Sequence, residues 1–154
     1  MNSELIKYID IAVGLEEKGI EFYTKLAKST THAYGRVMFE RISSEEEKHK
    51  IFLLDLKEKI AGKDVLSEDM IDGVIPVDFG EIFKLRKEDE KKSSKSYVEA
   101  LITAIDAEEK SYEAYKKMQG LTDSVVLKDF FAKLAGFERS HADNFRSELA
   151  YIQT

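Results

Sequence analysis

The sequence predicts an all-α fold, a four-helix bundle built from two duplicated antiparallel helix hairpins joined by a long crossover. Three observations predict it. Glu46-x-x-His49 recurs as Glu138-x-x-His141, and each pair follows a lone glutamate, Glu16 or Glu108, by the same 30 positions. A shift of 92 residues then aligns the two halves without a gap. One proline and eight glycines in 154 residues leave room for long uninterrupted helices. A repeat dictates architecture, and two units make a duplicated hairpin where many would make a solenoid.

The alignment extends well beyond the two motifs. Ala12 falls on Ala104, Glu16-Glu17-Lys18 on Glu108-Glu109-Lys110, Glu21 on Glu113 and Tyr23 on Tyr115. Thr30, Phe39, Glu46 and His49 fall on Thr122, Phe131, Glu138 and His141. Apolar residues match in kind between them, as in Ile42 with Leu134 and Leu53 with Phe145.

Four stretches repeat apolar residues at intervals of three and four, the signal of an amphipathic helix. The first, about 4–29, aligns Ile9, Ala12, Val13, Ile20, Tyr23 and Ala27. The second, about 33–61, aligns Phe39, Ile42, Leu53, Leu56 and Ile60. The third, about 96–119, aligns Leu101, Ala104, Ile105, Tyr112 and Tyr115. The fourth, about 124–152, aligns Leu127, Phe131, Leu134, Phe145 and Leu149. Short polar breaks at Thr30-Thr31-His32 and Gly120-Leu121-Thr122-Asp123 offer N-caps and force antiparallel hairpins. His32 has no copy in the second half and reads as a surface residue.

One domain is expected over residues 1–154, with hairpins at about 4–61 and 96–152 and a crossover at 62–95. The crossover carries Gly73, Pro76 and Gly80, then a charged run from Lys84 to Lys92. A helix of about 27 residues is roughly 40 Å long, and thirty-odd residues can span that distance. The segment therefore reads as a connector that makes the second and third helices parallel.

The acids can then be placed on helix faces. Glu16 continues the stripe of Ile9, Ala12 and Ile20, and Glu108 that of Leu101, Ala104 and Tyr112, so both point inward. Their neighbours Glu17 and Glu109 fall on the polar face. Glu46 and His49 lie between Ile42 and Leu53, and Glu138 and His141 between Leu134 and Phe145. In the run Glu45-Glu46-Glu47, only Glu46 aligns with a glutamate; Glu45 aligns with Phe137 and Glu47 with Arg139. The repeat therefore selects Glu46.

A bare carboxylate on an apolar face is costly to bury, and four of them would repel one another. Cations resolve both costs, and no lysine or arginine lies on these inward stripes. Glutamate and histidine three apart share a helix face and reach one ion. Oxygen and imidazole donors suit iron or manganese, and zinc less specifically. Glu16 and Glu108 would each cap one metal or bridge the pair, with ions roughly 3.5–4 Å apart. Without metal, burial and mutual repulsion should raise the pKa values of the glutamates, so that binding releases protons. Tyr23 and Tyr115 stand seven positions after the lone glutamates on the same face. They are either core aromatics or donors that orient a metal-binding carboxylate.

Other function classes are disfavoured. The absence of cysteine removes disulfides, thiolate ligands and iron–sulfur centres, and fits a reducing, cytoplasmic location. A net charge of −6 with both signs interspersed argues against nucleic acid. No run approaches the roughly 18 apolar residues of a membrane span. Met1 to Leu5 show no secretory pattern.

A lone Glu from each of two helices and Glu-x-x-His from each of the others is the ferritin-like dimetal pattern. Beyond it, the chain resembles the rubrerythrin branch of that superfamily through Glu16-Glu17-Lys18-Gly19-Ile20-Glu21-Phe22-Tyr23, Glu45-Glu46-Glu47-Lys48-His49 and Glu138-Arg139-Ser140-His141. The resemblance implies that Glu16, Glu46, His49, Glu108, Glu138 and His141 bind two irons, with Tyr23 and Tyr115 as outer partners. It implies reaction with hydrogen peroxide or oxygen and oxidation of ferrous iron. Alternatives are an iron-storage protein without a dedicated substrate, or a di-manganese catalase-like protein with manganese or mixed occupancy.

Two departures accompany it. No cysteines are present for the family's rubredoxin-like module, so an external electron donor such as a rubredoxin is implied. Ser111 stands where the family often has a further glutamate. A homodimer is expected, with Tyr34, Phe79 and Phe83 as candidate contacts.

Overall fold

A computed structural model describes residues 2–62 and 95–153, with side chains placed over 6–62 and 97–153. Four helices make up these residues: α1 (Asn2–Ser29), α2 (Ala33–Ala61), α3 (Lys95–Leu121) and α4 (Val125–Gln153). All four expected helices form, with ends within two residues of the sequence reading. The crossover at 62–95, with Phe79 and Phe83, lies outside the described residues apart from its ends.

The turns are built by local hydrogen bonds. His32 is the N-cap of α2, its Nδ1 accepting from the Gly35 backbone N–H at 3.1 Å. Its ring also stacks on Tyr97 of α3 at 4.3 Å. The expectation of a surface histidine is therefore corrected: His32 is half-buried and ties the turn to the second hairpin. In the other turn, Ser124 accepts from the Leu127 N–H at 3.3 Å, and Thr122 accepts from the Ser124 N–H at 3.2 Å. Because Ser124 caps α4, α3 runs on through Gly120 to Leu121.

The core divides into two apolar layers with the acids between them. One layer joins Ile9 and Ala12 of α1, Leu53 and Leu56 of α2, Tyr115 of α3, and Leu127 and Phe131 of α4. The other joins Tyr23 and Ala27 of α1, Phe39 and Ile42 of α2, Leu101 and Ala104 of α3, and Phe145 of α4. The first layer takes the start of α1 and the ends of α2 and α3; the second takes the end of α1 and the starts of α2 and α3. Helices α2 and α3 are therefore parallel, as the crossover requires, and each hairpin is antiparallel.

The repeat exchanges these layers. Ile9, Phe39 and Leu53 in one half correspond to Leu101, Phe131 and Phe145 in the other, which lie in the opposite layer. A pseudo-twofold axis thus passes between the layers, through the acids. Tyr34, offered as a dimer contact, is only 3 % exposed and packs inside the second layer, which corrects that expectation. Among the described residues, no helix is long and apolar enough to cross a membrane.

Candidate metal centre

Glu16, Glu46, His49, Glu108, Glu138 and His141 converge between the two layers, none more than 3 % exposed. Their neighbours behave as the stripes require. Glu17 is exposed beside Lys50 at 3.4 Å, and Glu109 is exposed and pairs with Arg146.

The donors form two overlapping groups. Glu16, Glu46, His49 and Glu138 bring one donor atom each within 4.8 Å of one another, and so do Glu46, Glu108, Glu138 and His141. The shift of 92 converts one group into the other. Glu46 and Glu138 belong to both, whereas Glu16 and Glu108 each belong to one. Glu46 and Glu138 are therefore placed to face both groups, and Glu16 and Glu108 one group each.

Both imidazoles turn Nδ1 inward. His49 Nδ1 lies 3.5 Å from Glu16 Oε1 and 3.7 Å from Glu138 Oε1. His141 Nδ1 lies 3.2 Å from Glu108 Oε1 and 3.5 Å from Glu46 Oε1. These are the distances of donors facing a common ligand.

The donor set fits a cation. Glu16 Oε2, Glu46 Oε1, His49 Nδ1, Glu108 Oε2 and Glu138 Oε1 are buried without a hydrogen-bond partner. Buried polar atoms are normally satisfied. Five orphans aimed at one small volume, four of them carboxylate oxygens, make an oxygen-rich site of the kind divalent iron and manganese accept.

Two tyrosines brace the site crosswise. Tyr23 of α1 donates to Glu108 Oε1 of α3 at 2.5 Å, and Tyr115 of α3 donates to Glu16 of α1. Both rings pack in the core layers, and both hydroxyls bond a glutamate of the site. Burial, and then the nearby glutamate charges, hold both phenols well above their ordinary pKa, so they remain donors. Replacing both by Phe should keep the helices, since each ring still packs, while metal affinity falls roughly 10–100-fold. Calorimetric titration with ferrous or manganous ion checks this.

Expected protonation needs one correction. Glu46 and Glu138 are raised well above 4.5, first by burial, then by the charge of Glu16 on Glu46 and of Glu108 on Glu138. Glu16 and Glu108 move the other way. Burial opposes their ionisation, but for Glu16 the neighbouring Glu46, His49 and Tyr115 outweigh it, and for Glu108 His141, Glu138 and Tyr23 do so. His141 is raised well above 6.5, because the Glu108 charge overcomes the burial that would lower it. Burial and neighbouring charge thus oppose ionisation at Glu46 and Glu138, while the neighbours of Glu16 and Glu108 favour it.

Gly19 explains how α1 passes so close. A methyl group there would lie 3.1 Å from Glu46 Oε2 and 3.3 Å from its Cδ. Gly14 has no such neighbour and serves no comparable purpose here.

A residue overlooked in the sequence completes the site. Glu45 is 2 % exposed, and its Oε2 lies 2.5 Å from Nε2 of His141. Its match with Phe137 had set it aside, yet that match carried the signal. An apolar counterpart marks an inward position, so an acid there must be buried. Glu148, matched with Leu56, is buried by the same logic, and Tyr97 donates to it at 3.1 Å.

A four-helix bundle with six acid and imidazole donors around one axis defines a ferritin-like protein of the dimetal carboxylate class. The chain belongs to the rubrerythrin family, whose model, described as Rubrerythrin, matches residues 7–150. Searches of curated proteins and of solved structures each returned no significant match.

Proposed function

We propose that the protein is a dinuclear non-haem iron protein that reacts with hydrogen peroxide or oxygen. The observation that carries this reading is the pair of four-donor groups sharing Glu46 and Glu138. In it, Glu16, Glu46, His49 and Glu138 would hold one iron, and Glu46, Glu108, Glu138 and His141 would hold the other. A ferrous pair would supply the two electrons that reduce a peroxide to water.

The chain's own groups supply the rest. A cavity of about 400 Å³ opens between α1 and α3, lined by Leu15, Phe22 and Ala107, by Lys18 and Lys110, and by Glu46, Glu108 and Glu138. Its apolar residues favour a small neutral oxidant over bulk water, and it exposes the acids that face both ions. Ser111 lines the same cavity, and its short side chain leaves that space open. Tyr23 keeps Glu108 oriented from the cavity side. Protons held by Glu46 and Glu138 leave when cations replace them. Turnover would draw electrons from a separate donor protein.

Anaerobic protein loaded with ferrous iron and then given peroxide tests the reading. Two irons per chain should bind, and one equivalent of peroxide should oxidise both. A Glu46→Ala, Glu138→Ala protein should do neither. Unchanged iron stoichiometry in that variant would dismiss the centre.

A further inference from the structure

The pseudo-twofold that relates the two half-sites fails directly behind the histidines, at positions 45 and 137. Each lies immediately before a bridging glutamate and backs the histidine of the opposite hairpin. Behind His141 stands Glu45, its Oε2 at 2.5 Å from Nε2. Behind His49 stands Phe137, its ring stacked on the imidazole at 5.3 Å and 19°. Glu45 Oε1 reaches no closer than 3.8 Å to His49 Nε2, beyond a hydrogen bond. His49 Nε2 is left buried without a hydrogen-bond partner. One imidazole is therefore held by a carboxylate and its counterpart by an aromatic face.

We propose that Glu45 is a positioning residue for His141 and makes the two metal positions unequal. This rests on the dimetal reading above. A carboxylate accepting from Nε2–H fixes which imidazole nitrogen carries the proton, orients the ring and strengthens the other nitrogen as a donor. Nδ1 of His141 is thereby committed to the group of Glu46, Glu108 and Glu138. Stacking on Phe137 holds the plane of His49 but selects neither nitrogen. The half-site containing His141 takes the first ion, and the half-site containing His49 takes the second. The six ligand types repeat between the halves, so the difference at 45 and 137 acts on positions with matching ligands.

Calorimetric titration of the metal-free full-length chain with cobalt(II) alone tests this. The wild type should bind two ions in two resolved steps. Glu45→Ala should weaken the tighter step by roughly 10–100-fold and leave the weaker step in place. Glu45→Gln, whose amide oxygen still accepts, should recover part of the loss. Nitrogen-15 NMR of the zinc(II)-loaded protein gives a reading independent of affinity. His141 should show a strongly deshielded, slowly exchanging Nε2 proton that Glu45→Ala abolishes, with His49 unchanged. Should the alanine variant not fold, the glutamine variant must still shift that proton. Two equal steps in the wild type, or an unmoved His141 proton in the variants, would overturn the proposal while leaving the dimetal centre intact. A wild type that takes up no ion would overturn both.

Discussion

A Glu46→Gln, Glu138→Gln protein is expected to lose the metal pair and yet, without metal, to melt above the wild type at pH 8. Both effects have one cause. These two acids belong to both donor groups, so neutralising them strips each half-site of two of its four ligands. The affinity loss should exceed the roughly 100-fold ceiling typical of groups that only support ligands. In the metal-free chain the same two carboxyls are the ones burial and neighbouring charge make hardest to ionise. Amides of the same shape remove that cost. The gain is read as a higher melting temperature than the wild type at pH 8.

The pH dependence follows from the signs. Glu46 and Glu138 have folded pKa values above the unfolded 4.5, so they retain protons the unfolded chain releases. Their contribution declines as pH rises from 4.5 through the raised values. His141 stabilises fully below 6.5, and that contribution is lost as pH rises through its raised folded value. Glu16 and Glu108 are lowered, so their contribution is present above 4.5 and disappears as pH falls through their folded values. Between pH 6 and 9 the first set governs. The metal-free wild type should therefore melt at steadily lower temperature, and the double amide variant should show a shallower slope. Thermal melts in chelator across that range measure both. A steeper slope in the variant would reject the assignment of protons to the bridges.

The second large effect is expected far from the metal centre. Gly35 sits in the first turn of α2, under the Tyr97 ring, and an added methyl would overlap that ring, with Cζ only 2.9 Å away. Tyr97 cannot easily retreat. It is 3 % exposed, stacked on His32 and bonded through its hydroxyl to the buried Glu148. Gly35→Ala should therefore overpack the layer, at about 1–3 kcal/mol. If the ring moves, it also gives up its hydrogen bond to the buried Glu148, at about 1–3 kcal/mol more. Denaturant unfolding should show a loss of roughly 2–5 kcal/mol. Gly35→Ala combined with Tyr97→Ala should recover the steric part. Gly136, which has no neighbour at such a position, should tolerate alanine with little change.

Much of this was legible in the sequence because the duplication supplied an internal control. A single Glu-x-x-His motif says little, but two at equal intervals from two lone glutamates identified all six residues that converge. Helix limits were readable because polar breaks coincide with the turns. Other features lay beyond the pattern because they depend on neighbours from distant segments. The crosswise tyrosine bonds join residues 85 and 99 positions apart. His32 looked like a surface residue because its stacking partner comes from the other hairpin. Glu45 lies outside the pattern because agreement between the copies marks only residues present in both, and its counterpart is Phe137. Its difference from Phe137 distinguishes the two histidines. The opposite shifts of caps and bridges also escaped, since charge counting treats four glutamates alike.

The shared bridges have a mechanical corollary. Each four-donor group takes three side chains from one hairpin and one from its twin, so a bound ion would join the two halves. Prising the halves apart would release both ions together, and a chelator that withdraws them would remove the clasp that fastens the halves. Occupancy of the centre thus requires the duplicated halves to be docked.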